Sequence, residues 1–456
     1  MILDAVIIGA GPSGLAAAES LLRGGARVTL LEAGSQVGGM ARSHRVGDHL
    51  CDLGPHRLHV EASPRVKALL GGKAGLSERR RSGCLHVGRR EVDYPLSPIS
   101  TLRSLGPCRA AKMFAGALGA CASPGDGSYV GEAVRRVGRP IYELLYAPAA
   151  EKIWGRDPSE LDPEQARARV SASGPLSLLG RLCGRGEPGH YLYPTAGANS
   201  IAYDAWADRL VDRGLTLVRG ARAEHIERDH GRASAVRASV DGCSQRFEGS
   251  RVISTLSLPR MLDMVDPGLG RAHRAGLQFR SVVVLQIALN IPRLTDKDVH
   301  YFPQREVPFA RLTEQSAFGR TADAPRGETV VSLDFYDERG GRVARASADE
   351  LLAQALPHLA VFGVTQEQVV AVERVVCDDA YPVLARDFQR ARAHCLDAAA
   401  TVEGLVTTGR AGLFLHVNQH HAIEMGLQAG ECALGQSVAA RWRTQARGFE
   451  GLRIVD

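Results

Sequence analysis

Gly9, Gly11 and Gly14, with Pro12 and Ser13 between them, form a turn that lets a polypeptide backbone close on phosphate. Gly9 permits the tight turn, Gly11 removes the side chain that would hold a pyrophosphate away, and Gly14 allows a helix to lie close on its strand. Glu32, about twenty residues further on, supplies a carboxylate for ribose hydroxyls. The chemistry is the binding of a dinucleotide. A glycine trio alone recurs for purely structural reasons, so the flanking elements decide. Asp4–Ile8 reads as a buried parallel strand, Leu15–Arg23 as a helix and Arg27–Leu31 as a second strand ending in Glu32. The helix start then faces the phosphates, where unpaired N–H groups favour negative charge.

After Glu32 and Ala33 comes a second glycine pair, Gly38-Gly39, followed by Met40 and Arg42. A nicotinamide fold does not need it. The pair would bring another loop to the same pyrophosphate, and Arg42 would offer its fork of donors to phosphate or to a flavin. This E-x(5)-GG-x(2)-R-S segment resembles the FAD-dependent amine oxidase, protoporphyrinogen oxidase and phytoene desaturase superfamily. Cys51–His59 (CDLGPHRLH) is similar to a loop of protoporphyrinogen-oxidase-like proteins and of their sugar-nucleotide mutase relatives, a loop that passes the flavin ring. Lys152-Ile153-Trp154-Gly155, Tyr193–Gly197, Val252–Thr255 and the terminal Gly409-Arg410…Asn418…His421-Ala422-Ile423 resemble further motifs of the group.

The resemblance implies FAD as cofactor. It implies a binding set of Gly9, Gly11, Pro12, Ser13, Gly14, Glu32, Ala33, Gly39, Met40, Arg42, Gly54, Pro55, His56, Ala223, Gly409, Arg410, Asn418, His421, Ala422 and Ile423. Ala223 stands where the group usually has valine, and His420 where an acid is common. Without the family, Gly409-Arg410 can meet a pyrophosphate, and a helix starting near His421 can aim its amino terminus at the flavin.

Catalytic candidates follow from the same loop. His56 or His59 could accept a substrate proton as hydride leaves, and Arg57 could hold an anionic group, although all three could equally pin the loop to FAD. Arg311, after Pro308-Phe309-Ala310, could anchor a carboxylate or phosphate or pair with Glu314. Tyr94 and Tyr381 could line a pocket.

Composition narrows the partners. Lysines and arginines exceed acids by six, without a basic arm, which argues against nucleic acid. Nine cysteines without a CxxC pair point to reduced thiols in a cytoplasmic compartment and to no structural metal. No apolar run reaches membrane-spanning length, although Phe114–Cys121 leaves a peripheral contact open. Oligomeric state is not legible.

The motifs fall in three blocks. We therefore expect an α/β chain with a Rossmann-like FAD-binding domain of the two-dinucleotide-binding-domain flavoprotein, glutathione-reductase type, from residues 1–80, 190–260 and 400–456. A discontinuous α+β substrate domain would take 81–189 and 261–399. Glu132–Tyr146, Pro163–Ser171 and Ala348–Leu359 read as helices, Ser281–Asn290 and Val369–Val376 as strands, and 184–189 as a crossover. The expected activity is hydride transfer from a C–H next to N or O, or C–C desaturation, on a small molecule, with reoxidation by oxygen. The alternatives are a sugar-nucleotide isomerase of the UDP-galactopyranose mutase type using reduced flavin, for which no arginine or tyrosine pair can be assigned, and a non-catalytic carrier of the same fold.

Overall fold

The computed structural model describes residues 2–72, 75–88, 90–120, 126–170, 189–268, 276–452 and 454. The expected crossover lies outside them, Gly189 excepted.

Asp4–Ile8 and Arg27–Leu31 pair in parallel as the innermost strands of a five-stranded sheet. The sheet runs Thr216–Val218, Arg27–Leu31, Asp4–Ile8, Arg251–Ser254, Leu405–Thr407, and every neighbouring pair is parallel. Three sequence blocks thus build one sheet. Apart from the edge strand Thr216–Val218 its strands are mostly buried on both faces, which is why they read as continuous apolar runs. Helix Pro12–Arg23 begins with proline in its first turn, where the missing N–H costs nothing, and stops at Gly24. Helix Gln419–Ala433 lies against it at backbone distance: a Cβ on Gly426 would come within 2.1 Å of the Ser13 carbonyl oxygen. The surrounding core also takes in helices Leu258–Val265 and Phe388–Ala400, so it extends past the expected blocks at 260 and 400.

The other half is built on a seven-stranded mixed sheet in the order Val369–Val383, Gln278–Leu289, Thr329–Asp337, Arg311–Glu314, Val299–Tyr301, Gly83–Val87, Arg90–Tyr94. Only the contact of Val299–Tyr301 with Gly83–Val87 is parallel. Helices cover it. Ala348–Leu359 forms as expected, closed at its start by a Ser347–Glu350 capping box.

Two elements differ from expectation. The stretch 132–146 is not one helix: Tyr129–Val137 ends at Gly138, whose φ is +82°, and Pro140 follows. The second strand does not stop at Val376 but continues to Val383 through a bulge at Asp379, whose φ is +51°. Pro382 is tolerated because this strand is the edge of its sheet. The extension carries Tyr381 into the site described below.

Candidate active site

A cavity of about 1210 Å³ follows the glycine turn. Gly9, Gly11, Pro12, Ser13, Glu32, Gly39, Met40, His56, Gly409, Arg410, Asn418 and Ala422 all line it. Its walls suit a long group bearing a pyrophosphate. Gly11 and Gly39 face each other so closely that a Cβ on Gly39 would lie 3.0 Å from the Gly11 Cα. Gly409, at φ +84°, leaves no room for a Cβ beside the Ser13 hydroxyl, 2.7 Å away. Glu32 is fixed by the N–H groups of Ala10 (2.9 Å) and Gly34 (2.8 Å), which set its carboxylate at the end of the strand.

A second cavity, of about 260 Å³, meets the first where His56, Trp154, Arg410, Asn418 and Gln419 line both. Its polar wall consists of Arg57, Arg81, Arg169, Arg311 and Arg410 with Tyr94, Tyr129, Tyr146, Tyr301, Tyr336 and Tyr381. Among the described residues no carboxylate lines it. Arg57 pairs with Asp298 at 2.9 Å and stacks over Tyr191; Arg311 pairs with Asp334, not with Glu314. Arg169 lies 4.9 Å and Arg410 5.1 Å from the Tyr381 ring centre, with no carboxylate partner for either guanidinium among the described residues. Burial opposes ionisation of Tyr381, yet Arg311, Arg410 and Arg169 together draw its phenol below the ordinary tyrosine value.

The model of the flavin-containing amine oxidoreductase family matches residues 12–434. The chain belongs to that family. FAD is accordingly its cofactor, and it is an enzyme of the flavin oxidoreductase class. A coproporphyrinogen III oxidase of Mycobacterium leprae (strain TN) is 26% identical over 97% of this chain and 98% of its own. Among solved structures, a reduced UDP-galactopyranose mutase superposes with a TM-score of 0.79 at 19% identity, covering 98% of each chain. A redesigned putrescine oxidase gives 0.63 at 16% identity over 97% of this chain and 100% of its own. Both structural likenesses are of fold. Among the described residues no helix of this flavin oxidoreductase is long and apolar enough to cross a membrane.

Gly14 sits where the fingerprint puts it, against the turn, since a Cβ there would lie 1.9 Å from the Gly9 oxygen. Several other predicted residues stand elsewhere. Arg42 donates to the Gly39 carbonyl at 2.6 Å and steadies the glycine loop, where a fork toward phosphate was expected. Ala33 is exposed at the strand end, and Ile423 is fully buried in the core. Ala223 is buried, and its neighbour Arg222 lines the cavity in its place. The helix expected near His421 starts at Gln419, and His421 closes a capping box by accepting the Asn418 N–H through Nδ1 at 3.4 Å. Pro55 and His59 line the second cavity alone, and His59 stacks near His420 with ring centres 5.5 Å apart. Gly54, at φ +86°, gives passage to Arg311, whose Nη2 would lie 3.1 Å from a Cβ there.

The loop carrying His56 is held by Asp52, a buried carboxylate that accepts from Ser43 Oγ (2.6 Å), Tyr193 OH (2.6 Å) and the Asn199 N–H (3.1 Å). His56 itself keeps Nδ1 without a partner. Burial, then Arg410, Arg311 and Arg42, push its pKa down to about 3, so the ring is neutral. Sequence reasoning gave no role to Arg169, Tyr336 or Asp52. Tyr336 carries no local motif, whereas Arg169, at the end of the stretch 147–169, and Asp52 lay inside segments already matched to the family.

Proposed function

We propose that this enzyme removes hydride from a C–H next to oxygen in an anionic small molecule. The observation that carries the proposal is the second cavity: among the described residues five arginines and six tyrosines line it and no carboxylate does, and Arg169 and Arg410 are left without the carboxylate partners that Arg57 and Arg311 have. An ammonium substrate would enter against the charges of Arg169 and Arg410, while Asp298 and Asp334 are taken up by Arg57 and Arg311, so amines fit poorly. A carboxylate, phosphate or diphosphate would meet Arg169 and Arg410, whose donors suit planar oxyanions.

Gly9, Gly11, Gly39 and Gly409 would admit the pyrophosphate of FAD, Glu32 would take the ribose, and the helix beginning after Asn418 would face the flavin. FAD, when bound, supplies the hydride acceptor. The remaining tasks belong to side chains. Trp154 and the tyrosines exclude water, and His56 lies where the two cavities meet. In the free enzyme its neutral ring cannot store a proton near pH 7. An anion entering beside Arg410 and Arg311 offsets their charges and restores basicity, so His56 Nδ1 would take the O–H proton of the substrate as its C–H hydride departs.

Sugar-nucleotide isomerisation stays as a second function because of the same cavity: it contains the arginines and tyrosines that sequence alone did not assign to a nucleoside diphosphate. The test is anaerobic bleaching of the flavin spectrum by hydroxy acids, sugar phosphates, carboxylated porphyrinogens and amines. Bleaching by an anionic compound supports hydride removal. Bleaching by amines alone overturns it, and isomerisation of a sugar nucleotide only after chemical reduction of the flavin transfers the assignment to the mutase.

A further inference from the structure

The sheet that walls the second cavity has a second group of donors on its other face. Cys84 and His86 lie two apart on strand Gly83–Val87 and project from one side, while Leu85 between them projects into the substrate cavity. Pairing completes the group. His300 stands opposite Cys84 across the parallel contact, with Tyr301 opposite Leu85 on the cavity side. Glu91 stands opposite His86 across the antiparallel hairpin. One ligand atom from each of Cys84, His86, Glu91 and His300 lies within 4.8 Å of all the others. His86 Nε2 and His300 Nδ1 are 3.0 Å apart, and His86 Nε2 is 4.0 Å from Glu91 Oε1.

We propose that Cys84, His86, Glu91 and His300 bind one Zn²⁺ ion, which staples three strands behind the substrate cavity. Zn–N bonds of about 2.0–2.1 Å and a Zn–S bond of about 2.3 Å place tetrahedral ligand atoms roughly 3.3–3.6 Å apart, within the observed spread of separations. One thiolate, two imidazoles and one carboxylate form a borderline-soft set that favours zinc over magnesium or calcium. Binding releases the Cys84 thiol proton to solvent, and thiolate plus carboxylate then neutralise the dication, as a buried site requires. Cys84, His86 and His300 are buried at 1%, 3% and 1% exposure, whereas the Glu91 side chain is 51% exposed and gives the ion its path from solvent.

The surroundings hold the imidazoles in place. Thr295 Oγ1 lies 3.2 Å from His300 Nε2 and can accept its N–H, so Nδ1 presents its lone pair to the site, where without metal it accepts from His86 Nε2 and with metal it would ligate the ion. The His86 ring stacks on Phe302 with centres 4.2 Å apart. The expectation of no structural metal rested on spacing along the chain. Cys-x-His on a strand matches no finger pattern, and His300 arrives from more than two hundred residues away.

The FAD-loaded enzyme, stripped with a chelator and dialysed, is titrated with Zn²⁺ and with Co²⁺. The proposal expects one Zn²⁺ per chain, a rise in unfolding temperature on zinc addition, and a Co²⁺ spectrum with tetrahedral d–d bands and a thiolate charge-transfer band. Cys84→Ser should remove that band, and Thr295→Val should weaken zinc binding about 10–100-fold. The flavin spectrum of each variant reports its folding. Glu91→Gln, at an exposed position, carries the test should Cys84→Ser not fold, and it should weaken zinc binding. Absence of zinc binding by the wild type, a cobalt spectrum without a thiolate band, or unchanged zinc affinity in Glu91→Gln overturns the site. None of these readouts depends on the identity of the substrate.

Discussion

At the scale of single residues, charge decides what the second cavity accepts. Arg169 has no carboxylate partner among the described residues and lies over Trp154 and Tyr381. Removing it in Arg169→Leu should lower kcat/KM for an anionic substrate roughly 10–150-fold, the equivalent of about 1.5–3 kcal/mol for a hydrogen bond to a charged group. The flavin absorbance should not change; equal kcat/KM in the variant would count against anion binding there. Tyr381 supplies a pH test. Its phenol is held below the usual value of 10.0, so KM for an anion should start to rise at a pH under 10 as the phenolate forms beside the bound charge. Tyr381→Phe should flatten that limb. His56 was legible as a loop residue of a known type. Its neutrality was not, because the causes are burial in the packed site and then three arginines brought from positions 410, 311 and 42.

At the scale of elements, the junction of helix Pro12–Arg23 with helix Gln419–Ala433 governs cofactor binding. Gly426 and Gly430 let the two backbones meet, and Cβ atoms there would lie 2.1 Å from Ser13 O and 2.6 Å from Ala17 O. Gly426→Ala should destabilise the protein by about 1–3 kcal/mol through overpacking. Because Ser13 lines the cofactor cavity, the flavin-to-protein absorbance ratio should fall as well. The start of the second helix is also acid-sensitive. Burial, then His421 and His59, lower His420 to about 3; burial, then His59, lower His421 to about 4. The unfolded chain binds these protons near the ordinary histidine value of 6.5, so this contribution is complete above that pH and is lost as pH falls toward 4 and 3. The unfolding temperature should therefore drop below pH 6.5, and the His420→Gln, His421→Gln double variant should drop less. Elements with local signals were legible: the helix Ala348–Leu359 and the glycine turn after Ile8 each read from one short stretch of chain. The extension of Val369–Val383 was not, since its pairing with Gln278–Leu289 lies about a hundred residues away.

At the scale of the molecule, the cofactor cavity is assembled from all three blocks of the nucleotide-binding half, so FAD should stabilise the whole of that core. Free FAD at about 100 times its Kd should add roughly 2.7 kcal/mol, read as a higher unfolding temperature of apoprotein; no shift would contradict the cavity assignment. Sequence by itself determined the family and the cofactor and made the Gly9–Glu32 turn legible, because strand, turn, helix and acid follow one another within thirty residues, although the crowding at Gly9 comes from Thr255 and only that at Gly14 from the turn itself. Only the tertiary structure decided the substrate cavity and the proposed zinc ligands. Arg57, Arg169, Arg311, Tyr381 and Arg410 arrive from five separate segments, and Cys84, Glu91 and His300 share one sheet face through strand register. Neither charge complementarity nor cross-strand pairing leaves a periodic trace along a single chain, so both become visible only when the distant segments pack.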